Sequence, residues 1–217
     1  MTDCCSGVRA AIAGQFDADT ARKDRERYRK KGPDATTRIL TEEIADAGGG
    51  ESLLDIGAGV GALCFELLDA GFQRALSVDA SPAYAAAARE EAEARGLGDR
   101  FRVLEGDFTE VADEVEAADV VTMNRVVCCY PRYRPLLERA VERSGRLFAY
   151  AYPRDRWYIR PVVRLHNLVR AALRDPFRAF VHPADQMGAC IEEGGFRRVS
   201  RSGTFVWAVD VYARAGI

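Results

Sequence analysis

The sequence predicts an α/β fold: a doubly wound, seven-stranded sheet of five parallel strands and a carboxy-terminal antiparallel hairpin, with helices on both faces. Three observations predict it. Between residues 52 and 151, short apolar runs alternate with helical stretches, an order typical of parallel strands joined by right-handed crossovers. The first apolar run enters a glycine-rich turn. After residue 195, two apolar runs follow each other around Ser202-Gly203, which predicts the hairpin.

The predicted strands are short apolar segments that end at glycine, acidic or other turn-forming residues. In chain order they cover 52–56, 75–78, 101–104, 119–123, 147–151, 196–202 and 205–212. In an open parallel sheet the ligand crevice lies at the carboxyl ends of the strands. Residues that directly follow these strands are therefore the first candidates for a site.

Glycine and proline mark the ends of several predicted helices. Gly71 ends the helix over 62–70, Pro82 lies in the first turn of the helix over 82–95, and Pro161 interrupts the helix over 157–173. The other predicted helices cover 19–30, 34–47, 111–116, 134–143 and 183–193.

A length of 217 residues suits one domain with an additional arm or cap. Residues 1–48 precede the first strand and predict an amino-terminal helical arm that acts as a lid. Residues 49–217 carry the alternating pattern of the main domain. Within it, 154–182 departs from the alternation and is expected to be a cap over the crevice.

Composition excludes several classes of protein. The formal net charge is −2, so the chain lacks the basic surplus that would neutralise a nucleic-acid backbone. No apolar run is long enough to span a membrane, and no basic and apolar leader predicts secretion. We therefore expect a cytoplasmic protein whose partner is a small molecule, with no nucleic acid and no membrane span.

Six cysteines include two adjacent pairs, Cys4-Cys5 and Cys128-Cys129. Neither pair has the intervening residues usual in a zinc site, so no metal site is expected. Without a secretion signal the cysteines are expected to remain thiols, and packing beside the pocket is the expected role of the second pair.

The strongest functional signal is the glycine loop that follows the first strand. Gly57, Gly59 and Gly61 let the backbone approach a ligand closely, and the next helix directs its first N–H groups at the same place. Asp79 ends the second strand, where its carboxylate is expected to bind ribose hydroxyls. Asp107 follows the third strand. Together these residues predict a nucleoside-binding crevice.

A dinucleotide dehydrogenase is the main alternative for such a crevice. Its fingerprint is Gly-x-Gly-x-x-Gly, whereas this loop is Gly-x-Gly-x-Gly. The positions of Asp55, before the glycines, and of Asp107 favour a different nucleoside ligand.

These motifs resemble the class I S-adenosylmethionine-dependent methyltransferases, which have a Rossmann-like sheet. The resemblance covers about residues 50–213. It implies S-adenosylmethionine as cofactor and a methyl transfer to oxygen or nitrogen of a small-molecule acceptor. It implies that the ribose-binding acid is Asp79 and that Asp107 and Phe108 hold adenine. The residues implied to surround the cofactor are Asp55, Gly57, Ala58, Gly59, Gly61, Asp79, Ala80, Asp107, Phe108 and Asn124.

A second, more distant resemblance is to the magnesium-protoporphyrin O-methyltransferases. Residues 26–32 resemble an aromatic, basic stretch of their amino-terminal helix, 127–131 resembles their His-Tyr-Pro loop, and 177–182 resembles the segment after their cap. Cys129 replaces the histidine of that loop, which predicts an acceptor other than a porphyrin.

Four residues are candidates for the acceptor side. His182 is a candidate general base, although a histidine before a proline at a helix entrance can also cap or pack. Tyr130 and Tyr28 are candidate hydrogen-bond donors to the acceptor, with packing as the alternative. Arg125 is a candidate partner for an anionic acceptor, with a surface charge as the alternative.

Two other functions remain open from the sequence. One is methylation of a macromolecule, although Asn124-Arg125-Val126-Val127 stands where a base-methylating enzyme would have an Asn-Pro-Pro-Tyr motif. The other is a module that binds S-adenosylmethionine without catalysis, which product formation in an acceptor screen would exclude.

Overall fold

In a computed structural model, which describes residues 11–216, the chain forms one seven-stranded sheet with the order β3-β2-β1-β4-β5-β7-β6. Strands β1 to β5 are parallel, and β7 pairs antiparallel with both β5 and β6. The predicted sheet is therefore confirmed. The strands are β1 Ser52–Ile56, β2 Arg74–Asp79, β3 Phe101–Glu105, β4 Ala118–Asn124, β5 Ser144–Pro153, β6 Phe196–Gly203 and β7 Trp207–Arg214.

Side-chain caps define where several helices begin. The carboxylates of Asp17 and Asp34 accept the N–H groups of Thr20 and Thr37, and Pro82 lies in the first turn of its helix. The helices are α1 Ala18–Lys31, α2 Ala35–Asp46, α3 Ala62–Asp69, α4 Pro82–Ala94, α5 Phe108–Val111, α6 Tyr133–Glu142, α7 Ile159–Ala172 and α8 Ala184–Glu193. Residues 11–15 are also helical.

Two apolar cores form, one on each face of the sheet, because successive strand residues point to opposite faces. Leu53 and Val120 belong to the core that α2, α3 and α4 cover. Leu54 and Val121 belong to the core that α5, α6 and α8 cover. Consecutive leucines and valines therefore serve both faces, which explains why the strands appear as continuous apolar runs.

The strand order reverses between β1 and β4, which are hydrogen-bonded neighbours although the chain visits β2 and β3 between them. The connections on the two sides of this point leave in opposite directions and open a crevice at the strands' carboxyl ends. The glycine loop after β1 and the residues after β4 consequently face the same space.

Three local expectations were wrong. The short helix predicted over 111–116 begins earlier, at Phe108, because Asp107 accepts the N–H of Thr109 there, and it continues as a 3-10 helix over Ala112–Glu114. The hairpin turns at 204–206 instead of Ser202-Gly203, since the N–H of Thr204 donates to the carbonyl of Trp207 and β6 extends to Gly203. Pro161 lies in the first turn of α7, where its missing N–H leaves the helix intact.

Among the described residues, no helix combines the length and the apolar character needed to cross a membrane.

Candidate cofactor and acceptor site

The loop between β1 and α3 has a conformation that requires glycine. Gly57, Gly59 and Gly61 have φ values of 65°, 59° and 82°, in the left-handed region. A Cβ atom at Gly57 would lie 2.5 Å from a methyl group of Val126, and one at Gly61 would lie 2.9 Å from the ring of Phe65. Side chains at these positions would therefore force the loop away from Val126, which follows β4, and from α3.

Asp79 holds this loop from the end of β2. One carboxylate oxygen accepts the N–H of Gly59 at 2.9 Å, and the other accepts the N–H of Ser81 at 2.8 Å. Burial raises the pKa of Asp79 to about 6, although both N–H bonds act in the opposite direction. Ala80, the next residue, lines the cavity beside it.

Asp55 lies at the end of β1, directly before the loop. Its carboxylate accepts the hydroxyl of Thr122 at 2.7 Å and the thiol of Cys64 at 3.7 Å. Burial, with a smaller contribution from the nearby charge of Asp79, raises the pKa of Asp55 to about 7, although the hydrogen bonds from Thr122 and Cys64 act in the opposite direction. The crevice therefore places two carboxyl groups with raised pKa values around one glycine loop.

The end of β3 contributes an acid and an aromatic ring. Asp107 accepts both the N–H and the hydroxyl of Thr109, at 2.9 and 2.8 Å, which fixes the start of α5. Phe108 is buried and lines the cavity. Tyr130 is also buried, and its pKa is raised by burial and then by the carboxylate of Asp107 beside its hydroxyl.

Asn124, the last residue of β4, presents an unpaired acceptor at the cavity. Its Nδ2 donates to the hydroxyl of Thr37 at 3.0 Å. Its Oδ1 is buried and has no hydrogen-bond partner within residues 11–216. Since an unpaired buried acceptor is costly, this oxygen is a natural position for a ligand N–H or O–H group.

Arg125 follows with a φ of 65°, an uncommon backbone conformation for a residue with a side chain. Its guanidinium donates to Asp34 at 2.5 Å and lies 5.8 Å from the ring centroid of Trp207. Burial alone would raise the pKa of Asp34. The charge of Arg125 and the donors of Thr36 and Thr37 outweigh burial and hold this pKa below its ordinary value.

Most of these groups surround one cavity of about 400 Å³, although Gly61 and Asp107 do not line it. The glycine loop and the ends of β2 and β4 form one wall. The amino-terminal arm adds Phe16, Asp34 and Thr37, and the 154–182 segment adds Phe177. The cavity is therefore built from both ends of the chain around the predicted crevice.

Two of the acceptor-side candidates, Tyr28 and His182, use their polar hydrogens in hydrogen bonds within the protein. The hydroxyl of Tyr28 donates to Glu66 at 2.8 Å, and its ring stacks on Phe65 with centroids 6.4 Å apart. The Nε2 of His182 lies 2.9 and 3.2 Å from the carbonyls of Tyr130 and Val127. Burial lowers the pKa of His182, which favours the neutral ring.

Sequence reasoning missed Asp34, Thr37, Trp207 and Phe16, all of which line the cavity. The local sequence around Asp34 indicates a helix cap, and nothing in it indicates a contact with the end of β4. Cys128 and Cys129 also line the cavity, and the thiol of Cys128 lies 3.3 Å from the carbonyl of Arg125. Cys4 and Cys5 lie outside the described residues.

In comparisons with known proteins, the chain matches one family model, and its fold is similar to many solved structures. A family described as "Methyltransferase domain" matches residues 53–147. A search of curated proteins gave no match to the sequence. Magnesium protoporphyrin IX methyltransferase from Synechocystis PCC 6803, crystallised with SAM, is 15% identical over 96% of this chain and 97% of that chain, with a TM-score of 0.70.

Two further solved structures are similar over most of this chain. An O-methyltransferase family protein from Burkholderia thailandensis is 16% identical over 92% of this chain and 61% of that chain, with a TM-score of 0.71. Mitomycin 7-O-methyltransferase is 22% identical over 91% of this chain and 59% of that chain, with a TM-score of 0.62. The family resemblance predicted from the sequence is thus confirmed. Residues 53–147 match the methyltransferase domain family, and the described chain has the Rossmann-like fold of the S-adenosylmethionine-dependent methyltransferases.

Proposed function

We propose that this protein transfers the methyl group of S-adenosylmethionine to an oxygen or nitrogen atom of a small-molecule acceptor. One observation carries the proposal: the glycine loop and Asp79 meet at the same cavity as Asn124, whose Oδ1 lacks a partner within the described chain. The cavity volume of about 400 Å³ lies in the range of small-molecule sites.

The residues present fit S-adenosylmethionine. Asp79 would accept the ribose hydroxyls, and the glycine loop would allow the backbone to approach the nucleoside. Asp107 and Phe108 would hold the adenine, the first by accepting its amino group and the second by packing on the ring. The unpaired Oδ1 of Asn124 would accept an N–H of the cofactor's ammonium group.

The cofactor supplies an electrophilic methyl group on a sulfonium, and the chain supplies alignment. An in-line displacement requires the acceptor atom to lie close to that methyl group. The residues of the cavity wall would set the distance between the two atoms. Arg125 and Tyr130 lie on this wall and are the proposed contacts for the acceptor. For Tyr28 and His182, whose polar hydrogens are bound within the protein, we propose positioning roles.

The geometry favours an acceptor with a negatively charged or strongly polar group. The Arg125 guanidinium is partly exposed and paired with a single carboxylate, so an acceptor carboxylate or phenolate can replace or share that partner. Cys129 stands where the porphyrin-methylating enzymes that the sequence resembles have a histidine. This difference supports an acceptor other than a porphyrin.

Calorimetric titration tests the cofactor assignment. S-adenosylhomocysteine should bind the wild-type protein, and NAD should give no heat. Asp79→Asn should weaken binding about tenfold or more, because hydrogen bonds to a charged acceptor contribute about 1.5–3 kcal/mol. Glu105→Gln, which changes an exposed carboxylate at the end of the neighbouring strand, should bind as the wild type does.

Binding of NAD in place of S-adenosylhomocysteine would contradict the proposal. So would an unchanged affinity in a folded Asp79→Asn variant. A screen of small acceptors with radiolabelled S-adenosylmethionine then separates an enzyme from a binding module, because only an enzyme releases labelled product.

A further inference from the structure

Helix α7 contacts the rest of the protein along one narrow face. Ile159 on this face is buried, and Val163 and Asn167, each four residues further along, are half-buried. The side chain of Asn167 bonds both backbone groups of Ala179, at 2.8 and 3.0 Å. This face fixes the orientation of the helix, so the opposite face points away from the protein.

That opposite face is apolar. Its members recur at the helical spacing of three and four residues and are each at least 52% exposed: Val162, Leu165, Leu168, Val169 and Leu173. Helices at the surface of a globular protein usually carry polar residues there. An exposed apolar strip of this kind indicates a binding surface. We call these five residues the α7 apolar strip.

Aromatic residues extend the strip at the start of the helix. Trp157 is 84% exposed, and Phe205, in the β6–β7 turn, is 75% exposed. Tyr158 joins them: its ring stacks on Phe205 with centroids 5.0 Å apart and meets Trp157 edge-on at 5.8 Å. Tryptophan and tyrosine are the side chains most favoured at the boundary between lipid and water.

The charge of this segment differs from that of the whole chain. Residues 154–178 contain seven arginines and two aspartates, whereas the chain has a net charge of −2. The two aspartates pair with Arg160 and Arg170. Arg156 and Arg164 are exposed and have no ion-pair partner in the described part of the chain. Uncompensated positive charge therefore flanks the apolar strip.

We propose that this surface docks on an anionic lipid bilayer. The α7 apolar strip, Trp157 and Phe205 enter the outer part of the bilayer, and the arginines contact the lipid phosphates. A second copy of the chain fits the surface less well. If two copies paired antiparallel about a two-fold axis through α7, the same side of each helix would face its counterpart. The Arg164 side chains of both copies would then lie close together and repel each other.

Co-sedimentation with lipid vesicles tests this proposal without reference to methyl transfer. The full chain should bind vesicles of phosphatidylcholine mixed with phosphatidylglycerol, and bind vesicles of phosphatidylcholine alone about tenfold more weakly or worse. High salt should weaken the stronger binding. Leu165→Ser combined with Leu168→Ser should lower the partition coefficient at least about tenfold, because two leucine side chains no longer enter the interface.

Val199→Ser is the matched control, because Val199 is an exposed apolar residue on β6. It should bind as the wild type does. Should the double serine variant fail to fold, Arg156→Glu combined with Arg164→Glu tests the same surface through its charge and should also lose binding. Equal or no binding of the wild-type protein to the two kinds of vesicle would overturn the proposal. So would a wild-type dimer in analytical ultracentrifugation that the serine substitutions convert to a monomer.

Discussion

Asp55 is a carboxyl group that the fold buries beneath the glycine loop, and its pKa is raised to about 7. A folded-state pKa above the unfolded value means that the folded protein binds more protons than the unfolded chain between about pH 4 and pH 7. Stability from Asp55 is therefore fully present at low pH and is lost as the pH rises through about 7. Asp79, with a pKa of about 6, acts in the same direction over a narrower window.

Substituting Asp55→Asn should remove this dependence. Relative to the variant, the wild-type protein should lose up to about 4 kcal/mol of unfolding free energy between about pH 4 and pH 8, taking 1.36 kcal/mol per unit of pKa shift. Urea denaturation across this range measures the difference. Asp99→Asn, an exposed carboxyl group, serves as the control and should keep the wild-type profile. Parallel profiles for wild type and Asp55→Asn would mean that Asp55 remains ionised in the fold.

Among the elements, the segment between β4 and α6 is held in position by His182, which comes from a distant part of the chain. Its short helical turn, Val127–Cys129, lines the cavity through Cys128 and Cys129. His182 lies 52 residues further along the chain from Tyr130 and binds its carbonyl. The imidazole also packs against Tyr133 at 4.7 Å and Phe180 at 5.9 Å between ring centroids. This ring therefore holds one cavity wall in place.

His182→Leu should destabilise the protein by about 1–3 kcal/mol, because two buried carbonyls lose their donor. His182→Gln, which can place an N–H near the Nε2 position, should recover part of that loss. Because burial lowers the pKa of His182, its contribution to stability is present above its ordinary value of 6.5 and is lost as the pH falls below it.

Kinetics separate this positioning role from general-base catalysis. If His182 only positions the cavity wall, the His182→Gln variant should retain most of kcat. If His182 removes a proton from the acceptor, both variants should lose kcat equally, and the rise of kcat with pH near the histidine pKa should disappear. Chemical denaturation and steady-state kinetics on the same two variants give the answer.

At the scale of the whole molecule, the amino-terminal arm both lines the cavity and packs on the main domain. Tyr28 stacks on Phe65, the hydroxyl of Tyr84 donates to Asp24 at 2.6 Å, and Arg29 pairs with the buried Glu91 at 2.7 Å. The arm is thus anchored on α3 and α4, while Asp34 and Thr37 reach the end of β4.

Removing residues 1–35 should therefore lower both stability and cofactor affinity. Burial of the Tyr28 side chain alone corresponds to about 1.5–3 kcal/mol. In the full-length protein, amide exchange in α1 should be as slow as in α4, and S-adenosylhomocysteine should slow it further. Scanning calorimetry, titration and hydrogen exchange measure these effects. Arg22→Ala, on the exposed side of α1, is the control. An unchanged melting temperature and affinity after truncation would show that the arm contributes neither packing nor a cavity wall.

Local sequence signals were sufficient for the sheet and for the conformation of the glycine loop. Gly57, Gly59 and Gly61 adopt a left-handed backbone conformation that other residues adopt poorly. The glycines in the sequence therefore predict the conformation of this loop directly. Asp79 ends β2 and Asp107 lies two residues after the end of β3, and the carboxyl ends of parallel strands meet at one edge of any open sheet. Where the signal was ambiguous, as at Ser202-Gly203, hydrogen bonds of Thr204 with Trp207 moved the turn by a few residues.

The contacts of Asn124 and Arg125, at the end of β4, were decided only by the tertiary structure. Arg125 and Asp34 are 91 residues apart in sequence, and Asn124 and Thr37 are 87 apart. Their contacts depend on how the arm packs across the sheet, which no local spacing records. The same packing directs the Tyr28 hydroxyl to Glu66, and the position of α8 brings His182 to the carbonyls of another loop. A single sequence specifies which backbone conformations are accessible, whereas the partners of a side chain follow from how separate elements fill a common core.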